Sequence, residues 1–217
     1  KKLFIKLSKV LGYEIIDQND FNSPTLEKEL NEDLSTINKK SIILPLGEVK
    51  ITKKVSSVLV IFRTNTDVEI WDQNKKRLFE EPKIEYSIRA LKSLIRSINF
   101  SKTKYPNIKF KTIVVDDKSK EENLNKLKKL INGSDLDMSI TSLNHDKYKN
   151  TIKQQKNDQT FSNLASLLQS FELGKEHGED LVFFVEDDYL HFEPMMEEMI
   201  ASYERIASQV NKDIFMC

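Results

Sequence analysis

From about residue 55 onward the chain alternates between two hydrophobic periods. SSVLVIF (56–62) is a continuous β-branched and apolar run, as a strand buried on both faces requires; FKTIVV (110–115) reads as a second buried strand and LVFFV (181–185) as another strand. DMSITSL (137–143) reads as a further strand. Between them, YSIRALKSLIRSI (86–98) places Ile88, Leu91, Leu94, Ile95 and Ile98 on one helical face. ENLNKLKKLI (122–131) and FSNLASLLQSFELGKEHG (161–178) are two more helical segments, stopped by Gly133 and Gly178. Pro194 suits the first turn of a helix whose stripe is Met196, Met199, Ile200, Tyr203, Ile206, Ala207 and Val210. DIFMC (213–217) predicts one more strand. Strand and helix in alternation predict an α/β fold, a mostly parallel sheet flanked by helices on both faces.

The first 54 residues do not follow this pattern and read as a partly helical N-terminal extension, with the main domain spanning 55–217. Leu3, Leu7, Val10 and Leu11 recur at helical spacing before Gly12. Such a helix packs on its own domain or on a partner; with Lys6 and Lys9 interspersed, residues 1–16 could also make a peripheral membrane contact. Ser23-Pro24 opens a charged helix near TLEKELNEDL. Residues 67–85, DVEIWDQNKKRLFEEPKIE, form a long insertion after the first main strand, either a lid or a decorated loop.

Charge narrows the partners. Lys+Arg and Asp+Glu number 34 each, so no global basic field points to nucleic acid. The single cysteine, Cys217, excludes an internal disulfide and fits a reducing compartment. No stretch approaches the roughly 18 apolar residues of a membrane span, and Lys6 and Lys9 interrupt any signal-peptide core. The expected location is cytoplasmic, with the inner face of the membrane as an alternative.

The candidate chemistry lies where predicted strands end, because ligands of parallel sheets gather at the carboxyl edge. Three ends are polar: Arg63-Thr64-Asn65, Asp116-Asp117 and Glu186-Asp187-Asp188. Three adjacent carboxylates repel one another, so something positive is expected beside them. Oxygen ligands without His or Cys suit a hard ion, Mg²⁺ or Mn²⁺, which takes one or two carboxylates and fills its shell with water and phosphate oxygens. The plainer alternative is a solvated acidic turn ahead of the next helix. Arg63 suits a base or phosphate, or an ion pair with Asp116 or Asp117; Asp116 could simply cap the turn before Lys118-Ser119. His145 and His191 could be taken for metal ligands, although His191, three residues past Asp188, reads better as a surface or supporting residue.

The order of these segments resembles the GT-A glycosyltransferases over roughly residues 56–210. VVDDKS (114–119) is similar to the VVDDGS of the family-2 type, and VEDDYLHFEP (185–194) to the EDD metal motif and Pro-headed helix of the N-acetylglucosaminyltransferase I type. The resemblance implies a Rossmann-like nucleotide-binding half and transfer of a sugar from a nucleotide-diphosphate donor, with UDP preferred, to an acceptor hydroxyl on a glycan, lipid-linked sugar or protein. It implies that Asp188 ligates Mn²⁺ or Mg²⁺, with Asp187 on the ribose or the metal's water shell and Glu186 on the sugar or ribose. Asp117 would accept from a base N–H; Arg63, Thr64 and Asp116 would adjoin the nucleotide. Lys118 departs from the family's Gly, and SLLQSFE replaces the Ala-Arg-Asn stretch common before the metal motif.

The same resemblance implies an acceptor-binding half after the metal motif, so the chain is expected to be truncated before it. The catalytic base of an inverting reaction is then expected beyond Cys217, and no catalytic residue is assigned. A nucleotide-binding module without turnover uses the same pocket. A sugar nucleotidylyltransferase would want a Gly-rich phosphate loop, and FRTNTDVE (62–69) contains no glycine; the GxxxxGK[ST] loop is also absent.

Overall fold

In the computed structural model, residues 7, 10–11, 26–29, 47–67, 81–152 and 158–216 are described. They fall in two compact units, Val55–Ile200 and Lys1–Lys54 together with Ala201–Cys217.

The first unit is built on four parallel strands in the order β5-β4-β3-β6: β3 (Ser57–Thr64), β4 (Lys109–Asp116), β5 (Asp137–Ser142) and β6 (Leu181–Glu186). The expected α/β parallel sheet is therefore present. Its register carries the functional consequence. Thr64 pairs with Asp116, Arg63 with Glu186 and Asp116 with Ser142, so the polar strand ends finish level at one edge.

Strand β3 sits in the middle because both its faces are apolar. Leu59 and Ile61 join Ile113, Val115, Leu143 and Tyr148 in one core cluster. The alternate residues Val58, Val60 and Phe62 are just as buried, as strand periodicity requires.

The helices are α1 (Lys83–Lys104), α2 (Glu121–Asn132), the single turn α3 (His145–Tyr148), α4 (Asp158–His177) and α5 (Met195–Val210). Helix α2 begins with Glu121 and Glu122 and ends with Lys129 before Gly133, charges that suit its dipole. The buried positions of α4 are small or polar: Ala165, Ser166, Gln169, Ser170 and Gly174. A Cβ on Gly174 would lie 3.0 Å from Phe184 Cζ, so the glycine is what lets α4 approach β6.

Helix α1 carries Ser87, Ser93 and Ser97 on its buried side. Ser93 Oγ accepts from the His191 N–H at 3.0 Å, and Ser97 Oγ accepts from the Met196 N–H at 3.0 Å. Together with Ser87 these hydroxyls fasten the segment 187–196, which follows β6, to one helix.

In the second unit Leu26–Glu29 (β1) pairs antiparallel with Gly47–Val49 (β2), where the charge pattern predicted a helix across TLEKELNEDL. The pairing joins segments some 20 residues apart, and local composition carries no sign of it; the remainder of that expected helix lies outside the described residues. Residues 213–216 form no strand. Asp213 instead accepts from Lys53 Nζ at 2.7 Å, Phe215 is exposed, and no edge among the described residues pairs with the apolar run. Ser208 Oγ accepts from the N–H groups of Thr52 and Lys53, both at 3.0 Å.

Of the expected helix at 3–16, Leu7 and Val10 are helical and Leu11 N–H donates to Leu7 O; the rest lies outside the described residues, as does 68–80 of the expected insertion. No helix among the described residues is long and apolar enough to cross a membrane.

Candidate functional site

The strand-end candidates read from the sequence lie at the carboxyl edge of the sheet and form two groups, whereas His191 packs against Ser93 of α1 and Phe183 of β6. The first group lies where β3, β6 and the start of α1 meet. Arg63 Nη2 donates to Glu186 Oε1 in an ion pair, while Nη1 reaches Asn163 Oδ1 at 3.2 Å. Arg63 thus meets neither Asp116 nor Asp117, because the register sets it opposite Glu186.

Asp187 is buried and both its carboxylate oxygens accept hydrogen bonds. Oδ2 accepts from Thr64 Oγ1 at 2.8 Å and Ser87 Oγ at 2.5 Å, and Oδ1 from Lys83 Nζ at 2.7 Å. The lysine and aspartate side chains are 14 % and 10 % exposed, so the pair is shielded from water. Of the three adjacent carboxylates, two therefore have cations of the chain's own. Asp188 differs: it is exposed, and no described residue contacts it by a hydrogen bond or ion pair.

The second group lies at the ends of β4 and β5. The Asp117 N–H donates to Thr64 O at 2.9 Å, locking the β4 turn to β3. Asp117 Oδ1 receives His145 Nε2 at 2.6 Å, and Oδ2 receives Asn65 Nδ2 at 3.3 Å. A carboxylate oxygen only accepts, so Nε2 carries the proton. Gln169 of α4 holds the preceding loop, accepting from Asn144 N–H at 2.8 Å and donating to Ser142 O at 3.0 Å. An open cleft of about 690 Å³ adjoins this group, lined among others by Lys118, Asn144, His145, Lys149 and Phe161. The His145 and Phe161 rings lie 6.0 Å apart, giving the cleft one aromatic wall.

Asp116 is buried behind this turn. Its Oδ2 accepts from Ser119 N–H at 3.2 Å, and Oδ1 has no partner among the described residues. Burial raises its carboxyl above the ordinary range, with the Asp117 and Asp67 charges adding to the rise and the Ser119 hydrogen bonds opposing it. Lys118 adopts φ 58°, the left-handed conformation that a glycine takes without strain. His191 is buried with Nε2 unpartnered among the described residues, and burial lowers its pKa.

Sequence reasoning missed Lys83, Ser87, Asn163 and the Asp117–His145 pairing. Lys83 and Ser87 had one available signal, a spacing of four residues at the head of a helix, which puts them on one face. The His145 contact had none, since it joins loops 28 residues apart.

A hard divalent ion fits this donor set in a limited way. Among the described residues no group of three or more His, Cys, Asp or Glu could hold a metal. Asp187 has both oxygens in use. Asp188 is the open carboxylate, and a magnesium-type ion needs only one or two such ligands when phosphates and water complete its shell.

No family model matches the chain. No curated protein matches it either. Among solved structures it is similar to S. aureus TarS 1–349, with a TM-score of 0.36 and 19 % identity over 68 % of this chain. The match spans 32 % of the TarS chain.

Proposed function

We propose that this chain is the nucleotide-sugar-binding part of a glycosyltransferase that moves a sugar from a nucleoside diphosphate, UDP in the first place, to an acceptor hydroxyl with Mn²⁺ or Mg²⁺ assisting. One observation carries the reading. A parallel sheet brings three polar strand ends level at its carboxyl edge, beside an open cleft, and leaves Asp188 as an uncompensated carboxylate there. Few glycines stand near these strand ends, so phosphate must be held by side chains and metal rather than by a backbone cradle.

In this reading Asp188 would hold the metal ion, which would supply charge neutralisation for a leaving diphosphate. Arg63 and Glu186 fix each other at the end of β3, adjoining the sugar or ribose. The base enters the cleft against Phe161, and Asp117 with His145 reads its polar edge. Thr64, Asp116 and Asp187 hold the strand ends in place. The acceptor is a glycan, a lipid-linked sugar or a protein, and the family likeness favours inversion.

Thermal unfolding with UDP, GDP and ADP, each with and without Mn²⁺, tests this. A ligand at about 100 times its dissociation constant adds about 2.7 kcal/mol, or about 5–11 °C for a chain of this size. The expected result is a shift with UDP, strengthened by Mn²⁺, with the Mn²⁺-dependent part lost in Asp188→Asn. No shift with any nucleotide refutes the reading. Binding without sugar transfer to any acceptor would favour a nucleotide-binding module.

A further inference from the structure

We propose that Lys83 is a diphosphate-binding residue, a cation resident at the strand ends that gives nucleotide binding a component independent of metal. The inference rests on the nucleotide reading above and adds a residue and a consequence to it. Lys83 is the first residue of α1, and its ammonium is held 2.7 Å from Asp187 Oδ1. Asp187 is in turn fixed by Thr64 from β3 and Ser87 from α1, so the ammonium is anchored from two elements at once.

An ammonium has three donors, and among the described residues Asp187 Oδ1 takes one of them. Two remain for a ligand. Arg63, the cation on β3, is already committed to Glu186 and Asn163. The first turn of α1 also lacks a side-chain cap, since Pro82 occupies the N-cap position. The Glu85 N–H of that turn donates to Pro82 O at 2.9 Å, and the only cation in the turn is Lys83 itself, together with the acidic Glu85. Asp187, expected on the ribose or the metal's water shell, thus faces a lysine, and positive charge is supplied there by the chain itself.

Asp187 is a positioning residue here: it holds Lys83 and at the same time tempers its charge. Two variants separate this role from simple folding. Lys83→Met/Asp187→Asn removes both charges together and leaves no uncompensated ion, whereas Asp187→Asn alone frees the ammonium.

The experiment is titration calorimetry of UDP, in EDTA and in Mn²⁺, on the wild-type chain, both variants, Lys83→Arg and Asp188→Asn. Wild type binds UDP in EDTA, and the affinity falls as salt rises. Loss of a charge-assisted contact weakens this about tenfold or more in the double variant. Lys83→Arg retains most of it, and Asp187→Asn binds UDP in EDTA more tightly than wild type. Asp188→Asn loses the gain from Mn²⁺. The proposal is overturned if the double variant matches wild type in EDTA, or if wild type binds UDP only when Mn²⁺ is present. In that second case the nucleotide reading stands without it. If UDP, GDP and ADP bind in neither buffer, the nucleotide reading itself is overturned.

Discussion

Asp187→Ala and Asp188→Asn alter neighbouring carboxylates whose consequences should differ by an order of magnitude. Alanine at 187 leaves the Lys83 ammonium, in a side chain only 14 % exposed, without its counter-ion. It also takes the acceptor from Thr64 Oγ1 and Ser87 Oγ. Breaking a shielded ion pair by removing one partner costs about 3–5 kcal/mol. Two features favour the lower end. The lysine retains some access to water, and Ser87 Oγ lies 3.3 Å from Lys83 O, where it can donate instead. About 3 kcal/mol lowers the melting temperature of a chain of this size by about 6–12 °C. Asp188 is exposed and without a partner among the described residues, so its replacement should stay within about 0.5 kcal/mol. Urea unfolding followed by far-ultraviolet circular dichroism reads both variants. A loss below about 1 kcal/mol for Asp187→Ala, or equal losses for the two, would refute the division of labour between them.

Other perturbations have definite signs. Lys118→Gly relieves a left-handed backbone worth about 1–2 kcal/mol against a glycine entropy cost of about 0.5–1 kcal/mol; the denaturation midpoint should rise with unchanged slope. Asp116→Asn should stabilise the fold at neutral pH, because the buried carboxyl ionises less readily when folded than when unfolded. Since the folded-state pKa is raised, the wild type loses stability as pH climbs from about 4 through the folded value; the gain from asparagine should fade on acidification, as melting curves at several pH values would record. Gly178→Ala places a Cβ 2.5 Å from both Gly174 O and Val182 Cγ2 and should lower stability by about 1–3 kcal/mol in the same unfolding assay.

The reach of the sequence follows from the range of the forces involved. Buried parallel strands must be apolar on both faces, so SSVLVIF and FKTIVV announced β3 and β4; the apolar run LVFFV announced β6, which lies at the sheet edge and is only partly buried, and the intervening periodicity announced α1, α2 and α4. The carboxyl-edge rule then placed Arg63, Asp117 and Asp187 at one edge of the sheet without any coordinates. What local pattern could not carry was pairing between distant segments. TLEKELNEDL looked helical, yet Leu26–Glu29 finds its partner at Gly47–Val49. DIFMC looked like a strand, yet 213–216 has no described edge to join.

The electrostatics were settled at the same long range. Three consecutive acids in VEDDY are equivalent on paper. Only the register of β6 on β3 sets Glu186 beside Arg63, and only the seat of α1 brings Lys83 and Ser87, about 100 residues earlier, to Asp187. Asp188 is left facing water by the same packing. The sequence determined that a negative cluster ends the strand; the tertiary structure decided which carboxylates are neutralised from within and which one stays open to a ligand, because charge is balanced between neighbours in space.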